Sequence, residues 1–342
     1  MKRHGNLFER IVDIDNLEEA YNKAKRGKTW QDKVKEFDEN KDENLSRLRQ
    51  SLIDGTFTTS EYRIKTIHEP KERQIFILPF FPDRIVQHAL MNIISPIWDK
   101  MMIKDSYACR KGKGQHKGSM RCMQFVRRNS WICQFDISKF YPSINHEILL
   151  RIIGRKIKDK RVMALFENII TSIDGATNVP IGNYTSQWFG NLYMNELDTF
   201  VKHNLHVRDY IRYCDDFLIF GKDKETLKGI MLQTENFVTQ KLKLRLSKKA
   251  LYPTSHGVDF LGYRHFPNGK MLVRKSTAKR VRRRIKALPW DLSHGKITHE
   301  QAMGKLASAH GWLKHANSYN LRLAMDFDEI YTEVRGLSEA VC

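Results

Sequence analysis

The stretch DYIRYCDDFLIFG, residues 209–221, puts two adjacent carboxylates, Asp215 and Asp216, between two short apolar runs. Runs rich in Tyr, Ile and Phe read as strands, and the acids between them read as a tight turn, so the segment predicts a β-hairpin with both carboxylates at its tip. Like charges side by side repel and are costly unless something positive sits beside them. Two explanations compete. The acids are either a solvated turn or one half of a metal site, and the rest of the chain has to decide.

A third carboxylate favours the second. In SWICQFDI, residues 130–137, Trp131, Cys133, Phe135 and Ile137 alternate with Ile132, Gln134 and Asp136. That period predicts a strand with Asp136 on the face opposite the bulkier apolar set. Three carboxylates converging on one sheet edge can hold two Mg²⁺, because hard cations prefer oxygen ligands. Two such ions stabilise the attacking and leaving oxygens of an in-line phosphoryl transfer.

Around these strands the apolar spacing is helical over 83–98 (positions 85, 86, 89, 90, 93, 94 and 97), over 186–201, and over 224–244 on Leu227, Ile230, Met231, Thr234, Phe237 and Val238. Residues 1–60 are polar with a helical pattern, 68–80 lead basic residues into strand-like sequence, 107–118 read as a basic, glycine-containing loop, and 258–266 as a short strand region. From Lys275 a helix is expected with its N-cap at Ser276 and a run of basic residues without an acid. Strands interleaved with helices and hairpin signals predict an α+β fold with an antiparallel sheet.

The charge balance narrows the partner. Lys+Arg number 59 against 39 Asp+Glu, a formal net charge of +20, and self-repulsion of that size usually has a polyanionic partner. Nucleic acid is favoured over a membrane surface: the longest apolar run, IFILPFF at 75–81, is far too short to span a bilayer. No signal-peptide core follows Met1. Five cysteines without a Cys-x-x-Cys pair predict reduced thiols and a cytoplasmic setting, and the 13 histidines form no metal-binding spacing.

In chain order, PKERQIFILPFFPDRIVQ, YACRKGKG, FDISKFYPSI, PIGNYTSQ, YCDD and FLGY resemble the motifs of reverse transcriptases, over roughly residues 65–290. The resemblance implies a right-hand polymerase. Its parts are an N-terminal helical extension (1–60), fingers (61–130 with 146–179), a palm with an antiparallel sheet (131–145 and 180–266) and a short helical thumb (267–342). Where most reverse transcriptases carry Gln-Gly-x-x-x-Ser-Pro, this chain has Ile181-Gly182-Asn183-Tyr184-Thr185-Ser186-Gln187. That form resembles the reverse transcriptases of diversity-generating retroelements, as do IVQHAL and HGWLKHANSYNL. No RNase H, endonuclease or maturase segment is evident.

The resemblance assigns roles. Asp136, Asp215 and Asp216 match the catalytic, metal-binding triad, with Ile137 beside them in the metal set and two Mg²⁺ as cofactors, for which Mn²⁺ could substitute. Tyr141 matches the bulky gate that excludes a 2′-hydroxyl, against an ordinary core tyrosine. Arg73 and Lys71 match the residues that hold the triphosphate, where a guanidinium suits bidentate contact. Arg84 is expected either to contact phosphate or template or to be a structural partner of Asp83 or a nearby acid. Ile181 and Gln187 complete the nucleotide site. A Gln at 181 could hydrogen-bond near the nascent base pair and an Ile cannot, a loss on the order of 1 kcal/mol that would loosen base selection; the alternative is that Ile181 merely packs. Arg110, Tyr213, Leu261, Gly262, Lys279 and Arg283 are the expected primer and template contacts, the last two on the basic helix. Lys249 matches the palm lysine that protonates pyrophosphate in some polymerases, although the basic run LSKKAL explains it as well.

The implied function is copying of a template-repeat RNA into error-prone, adenine-mutagenic cDNA from dNTPs, in a bacterial or phage-encoded system. The implied partners are that RNA and a small basic accessory protein, with the N-terminal segment to about Gly55 contributing to either contact. The rival readings are a retron- or group II intron-like reverse transcriptase of ordinary fidelity, and a catalytically silent RNA-binding scaffold.

Overall fold

Asp13 caps the helix Ile14–Lys25, its carboxylate accepting from the Asp15 N–H, and a run of short helices follows: Asp32–Glu39 and then Lys41–Ile53. In the computed structural model, which describes residues 3–68 and 72–336, this extension is tied to the body by Asp159. The Asp159 carboxylate accepts from the Leu7 and Phe8 N–H groups at 2.8 and 3.1 Å.

Strand β1 (Arg63–Ile67) pairs antiparallel with β2 (Arg73–Ile77). β1 is absent from the sequence reading because it has no buried face: its first four residues are exposed, so no apolar alternation marks it. The helix expected over 83–98 runs Ile85–Asp99 and buries Ile85, Val86, Ala89, Leu90 and Ile94. The expected loop 107–118 ends early. A helix, Gln115–Arg128, begins directly after Gly114, whose φ of +111° makes the turn into it.

The central sheet contains β3 (Trp131–Ile137), β4 (Tyr210–Tyr213), β5 (Asp216–Gly221) and β6 (Leu246–Pro253) in the order β4-β5-β3-β6, every neighbouring pair antiparallel. Both faces are covered. Cys133, Phe135, Phe217 and Ile219 join the large core with the helices Ile85–Asp99 and Tyr184–Thr199. Ile132, Ile211, Leu218 and Phe220 pack on the other side with Cys122, Phe125 and Phe260. The helix expected over 224–244 runs Lys224–Asn236 and continues as one wide turn to Lys241.

The segment 258–266 is two strands, β7 (Val258–Phe260) and β8 (Tyr263–His265), with β9 (Met271–Val273) completing a small antiparallel sheet. Leu261 and Gly262 form the turn between β7 and β8, with φ of +52° and +81°, the left-handed pair that a tight hairpin needs. β9 then feeds directly into the basic helix Lys275–Lys286. Its N-cap is Arg274 rather than Ser276, because the Arg274 carbonyl already accepts the first helical bond, from the Ala278 N–H at 2.9 Å, while its own N–H turns back to the Gly262 carbonyl at 2.9 Å. The C-terminal helices, from Lys275–Lys286 through His299–Leu313 to Phe327–Gly336, enclose their own core on Ile285, Leu288, Leu306, Leu313, Phe327 and Val334. The α+β class with an antiparallel sheet is therefore as expected. Among the described residues no helix is long and apolar enough to cross a membrane.

Candidate active site

Pairing of Phe135 with Phe217 brings the three acids together. Asp136 follows Phe135, and Asp216 precedes Phe217, so both sit at the same end of adjacent antiparallel strands with Asp215 in the turn beyond. All three are half-buried. Burial pushes the Asp216 carboxyl up to about 7, helped by the Asp136 and Asp215 charges and opposed by Arg274 and Lys248. Asp215 is also raised, by burial first and by Asp136, while its own backbone N–H and the Arg73 guanidinium act the other way. Asp216 Oδ1 is buried and has no hydrogen-bond partner.

An orphaned carboxylate oxygen between two other carboxylates is the environment a hard cation would complete. Among the described residues no three carboxylate, imidazole or thiol side chains form a ready-made cage. A preformed cage is not required, since Mg²⁺ typically takes one or two carboxylates and fills its shell with water and substrate phosphate. The residues present therefore fit a divalent ion shared with substrate. Ile137 has a buried side chain, so only its backbone carbonyl can contribute.

A β-bulge shapes this end of the sheet. The register of β3 against β6 shifts between Asp136 and Ile137, which pair with Lys248 and Leu246 and leave Ser247 as the extra residue. The Ser247 hydroxyl donates to Asp136 Oδ2 at 2.5 Å. Neighbouring lysines then point to opposite faces. Lys248 lies on the acid side, donating to Gln134 Oε1 at 2.8 Å and lowering the Asp216 pKa by its charge. Lys249 binds Glu235 at 2.6 Å on the other face, which corrects the expectation that it serves the reaction.

Tyr141 reaches the turn from the adjacent helix, its hydroxyl 3.4 Å from Cys214 Sγ, and burial raises its phenol beyond the ordinary range. Its ring packs over Gly190, where a Cβ would come within 3.1 Å of it. Arg73, exposed at the start of β2, is close enough for its charge to act on Asp215. Lys71 lies outside the described residues. Ile181 joins the same wall: its carbonyl accepts from the Phe76 N–H at 2.7 Å, and a Cβ on Gly182, at φ +133°, would fall 2.0 Å from the Phe76 carbonyl oxygen. Ile181 is half-exposed and Gln187 exposed. Gln87, missed in the sequence reading, is buried behind them. Its Oε1 caps the helix Tyr184–Thr199 by accepting from the Tyr184 and Thr185 N–H groups at 2.8 and 3.4 Å.

Other expected contacts fall elsewhere. Arg84 is not brought to the acids; its charge acts on His88 and Lys28. Nor does it hold Asp83, which accepts from the Ser60 N–H at 3.0 Å. Arg110 is a correction of a different kind. Its side chain is 8% exposed, and its guanidinium binds Asp99 at 2.6 Å and the Ile103, Ser106 and Asp99 carbonyls, so the fork is consumed inside the protein. Tyr213 is half-buried opposite Asp216. The Leu261–Gly262 turn is clamped: Gln115 donates to the Leu261 carbonyl at 2.9 Å, and the Trp312 ring lies where a Gly262 Cβ would come within 2.6 Å. Lys279 and Arg283 are exposed on the basic helix. Between that helix and His299–Leu313 runs a groove of about 600 Å³ lined by Arg280, Arg284, Lys305, Ser308 and Trp312.

Residues 67–265 match the family described as reverse transcriptase (RNA-dependent DNA polymerase). Protein YkfC of Escherichia coli (strain K12) is 25% identical over 296 residues, covering 72% of this chain and 75% of YkfC. The group II intron-encoded protein LtrA of Lactococcus lactis subsp. cremoris is 23% identical over 296 residues, covering 65% of this chain. The match extends over 49% of LtrA, about half its length. Among solved structures, apo telomerase from Candida tropicalis, truncated from its C-terminal domain, aligns with a TM-score of 0.47 and 13% identity over 63% of this chain and 55% of that one.

Proposed function

The chain belongs to the reverse transcriptase family of RNA-dependent DNA polymerases, and from that premise we propose that it copies a template-repeat RNA into error-prone cDNA that diversifies a target gene. The observation that carries the subtype is the segment Ile181–Gln187, with Ile where a glutamine would be able to pair with the nascent base pair. The half-exposed Ile181 side chain, set on the wall that also carries Arg73, supports a role at the nucleotide rather than in the core.

In this reading the β1–β2 ribbon and the helix after it are fingers, the four-stranded sheet is the palm, and the C-terminal helices are the thumb. Asp136, Asp215 and Asp216 hold two divalent cations, Mg²⁺ or in its place Mn²⁺. Once bound, these supply charge neutralisation for in-line attack of a primer hydroxyl on a dNTP. Arg73 grips the triphosphate, Tyr141 walls off a 2′-hydroxyl, and the groove flanked by the basic helix follows duplex phosphates. Template RNA, cDNA, dNTPs and a small basic accessory protein are the partners.

Primer extension on a mixed-sequence RNA template, with every product sequenced and Asp215→Asn as control, tests this reading. Extension that vanishes in the variant, with errors concentrated opposite adenines, is expected. Accurate extension would retain the polymerase and favour a group II intron-like enzyme, the reading to which the similarity with LtrA points. Ile181→Gln should restore accuracy; an unchanged error spectrum would remove Ile181 from the account.

A further inference from the structure

Beneath the turn that carries Asp215 lies a fully buried ion pair with no assigned role. The Arg212 and Asp198 side chains are both 0% exposed. Arg212 donates through Nε and Nη2 to the two Asp198 oxygens at 2.8 and 2.7 Å, and the Tyr210 hydroxyl donates to the same carboxylate at 2.7 Å. The remaining nitrogen, Nη1, donates to Asn191 Oδ1 at 3.1 Å and to the Cys214 carbonyl at 3.0 Å. Asn191 in turn donates to the Ala108 carbonyl at 2.9 Å.

A buried ion pair is poor evidence of a stabilising role, because apolar residues of similar volume usually hold a core as well. What the guanidinium supplies, and an apolar side chain could not, is a directed donor to one carbonyl. That carbonyl is Cys214's, in a residue at φ +57°, a conformation few non-glycine residues adopt unless their surroundings impose it. The Cys214 C=O and the Asp215 N–H belong to one planar peptide unit, so fixing the first aims the second. Arg212 cannot slide, since its own N–H donates to the Asp105 carbonyl and its C=O accepts from the Tyr107 N–H, both at 3.0 Å.

We propose that Arg212, anchored by Asp198 and Asn191, is the positioning residue for Asp215: it sets the peptide plane of the Cys214–Asp215 turn and so the direction from which the Asp215 carboxylate meets a divalent cation. This rests on the reading of the three acids as cation ligands. It also explains the helix Tyr184–Thr199 as more than packing, because that helix supplies both Asp198 and Asn191.

The test uses the full chain and Mn²⁺ as the probe, with free ion counted by electron paramagnetic resonance and urea unfolding run in parallel. Arg212→Lys keeps the charge balance with Asp198 but loses the fork. The double variant Arg212→Met/Asp198→Asn leaves no buried charge unpaired and decides alone should the lysine variant unfold. Asp215→Asn gauges the loss of the ligand itself. Both Arg212 variants should unfold cooperatively yet bind Mn²⁺ at least about fivefold more weakly, and incorporate a single nucleotide more slowly at saturating dNTP with unchanged primer–template affinity. Folded variants that bind Mn²⁺ within about twofold of the parent would overturn the proposal. If Asp215→Asn leaves Mn²⁺ affinity unchanged, the cation-site reading fails and the proposal with it. If the parent binds Mn²⁺ through Asp215 but extends no primer, the polymerase reading alone fails, and the Mn²⁺ affinities still decide the role of Arg212.

Discussion

Replacing Asp216 by asparagine removes a half-buried carboxylate whose Oδ1 has no partner and which is repelled by Asp136 and Asp215. Without a cation its pKa rises to about 7, against 3.8 for the free side chain. A difference of that size corresponds to on the order of 4 kcal/mol of destabilisation when the group is ionised, and the solvent access that remains reduces this to about 2–4 kcal/mol. The sign follows from linkage. The folded-state pKa lies above the unfolded one, so stability is fully present below the unfolded value and is lost as pH rises through the folded value. In EDTA, Asp216→Asn and the parent should therefore be equally stable near pH 4. The variant should gain by at most about 1.4 kcal/mol per pH unit above that, levelling off beyond about pH 7. Urea unfolding at pH steps across that range measures the gap. Millimolar Mg²⁺ should narrow or reverse it at about pH 8, because a ligand that binds the folded parent stabilises it by mass action. A gap that is constant with pH, or a parent more stable than the variant at high pH in EDTA, would refute the reasoning that burial and like charge strain this site.

The two lysines of β6 should behave differently. Lys248→Met should raise the Asp216 pKa further and, above about pH 8 where the three acids are ionised, tighten Mn²⁺ binding by removing a competing positive charge, whereas Lys249→Met should leave both unchanged; equal effects would remove Lys248 from the acid side of the sheet. Gly182→Ala forces a Cβ against the Phe76 carbonyl at a φ that alanine disfavours. It should cost about 2 kcal/mol or more, read as a fall in melting temperature, and a neutral outcome would dismiss the close approach of the two segments. Lys279→Ala should reduce the slope of log affinity against log salt for an RNA–DNA duplex by about 1 while leaving the dNTP KM alone; an unchanged slope would remove the basic helix from the interface.

Features with a local signal were legible from the residues. The alternation in 130–137 predicted β3, the acids between apolar runs predicted the β4–β5 turn, and helical spacing predicted the helix that became Ile85–Asp99. Features without one were not. β1 hides because its residues are mostly exposed, β7 and β8 merged because Leu261–Gly262 is not a usual turn pair, and Arg110 read as a surface cation although the loop that precedes it folds the Ile103, Ser106 and Asp99 carbonyls and the Asp99 carboxylate onto its guanidinium.

The sequence by itself determined the strands and helices that bear the three acids, the basic balance that suits a polyanionic partner, and the order of motifs that places the chain in its family. Tertiary structure alone decided which side chains face one another. Whether Lys248 or Lys249 meets the acids turns on the register of β6 against β3, which sets Lys248 opposite Asp136, because side chains alternate and a one-residue slip would reverse every face. What an arginine is bound to depends on what the fold places beside it: the charge of Arg73 acts on Asp215, Arg212 pairs with the buried Asp198, and Arg110 pairs with the Asp99 carboxylate. The fold brings each partner to its arginine, and the guanidinium that meets them is the same in each case.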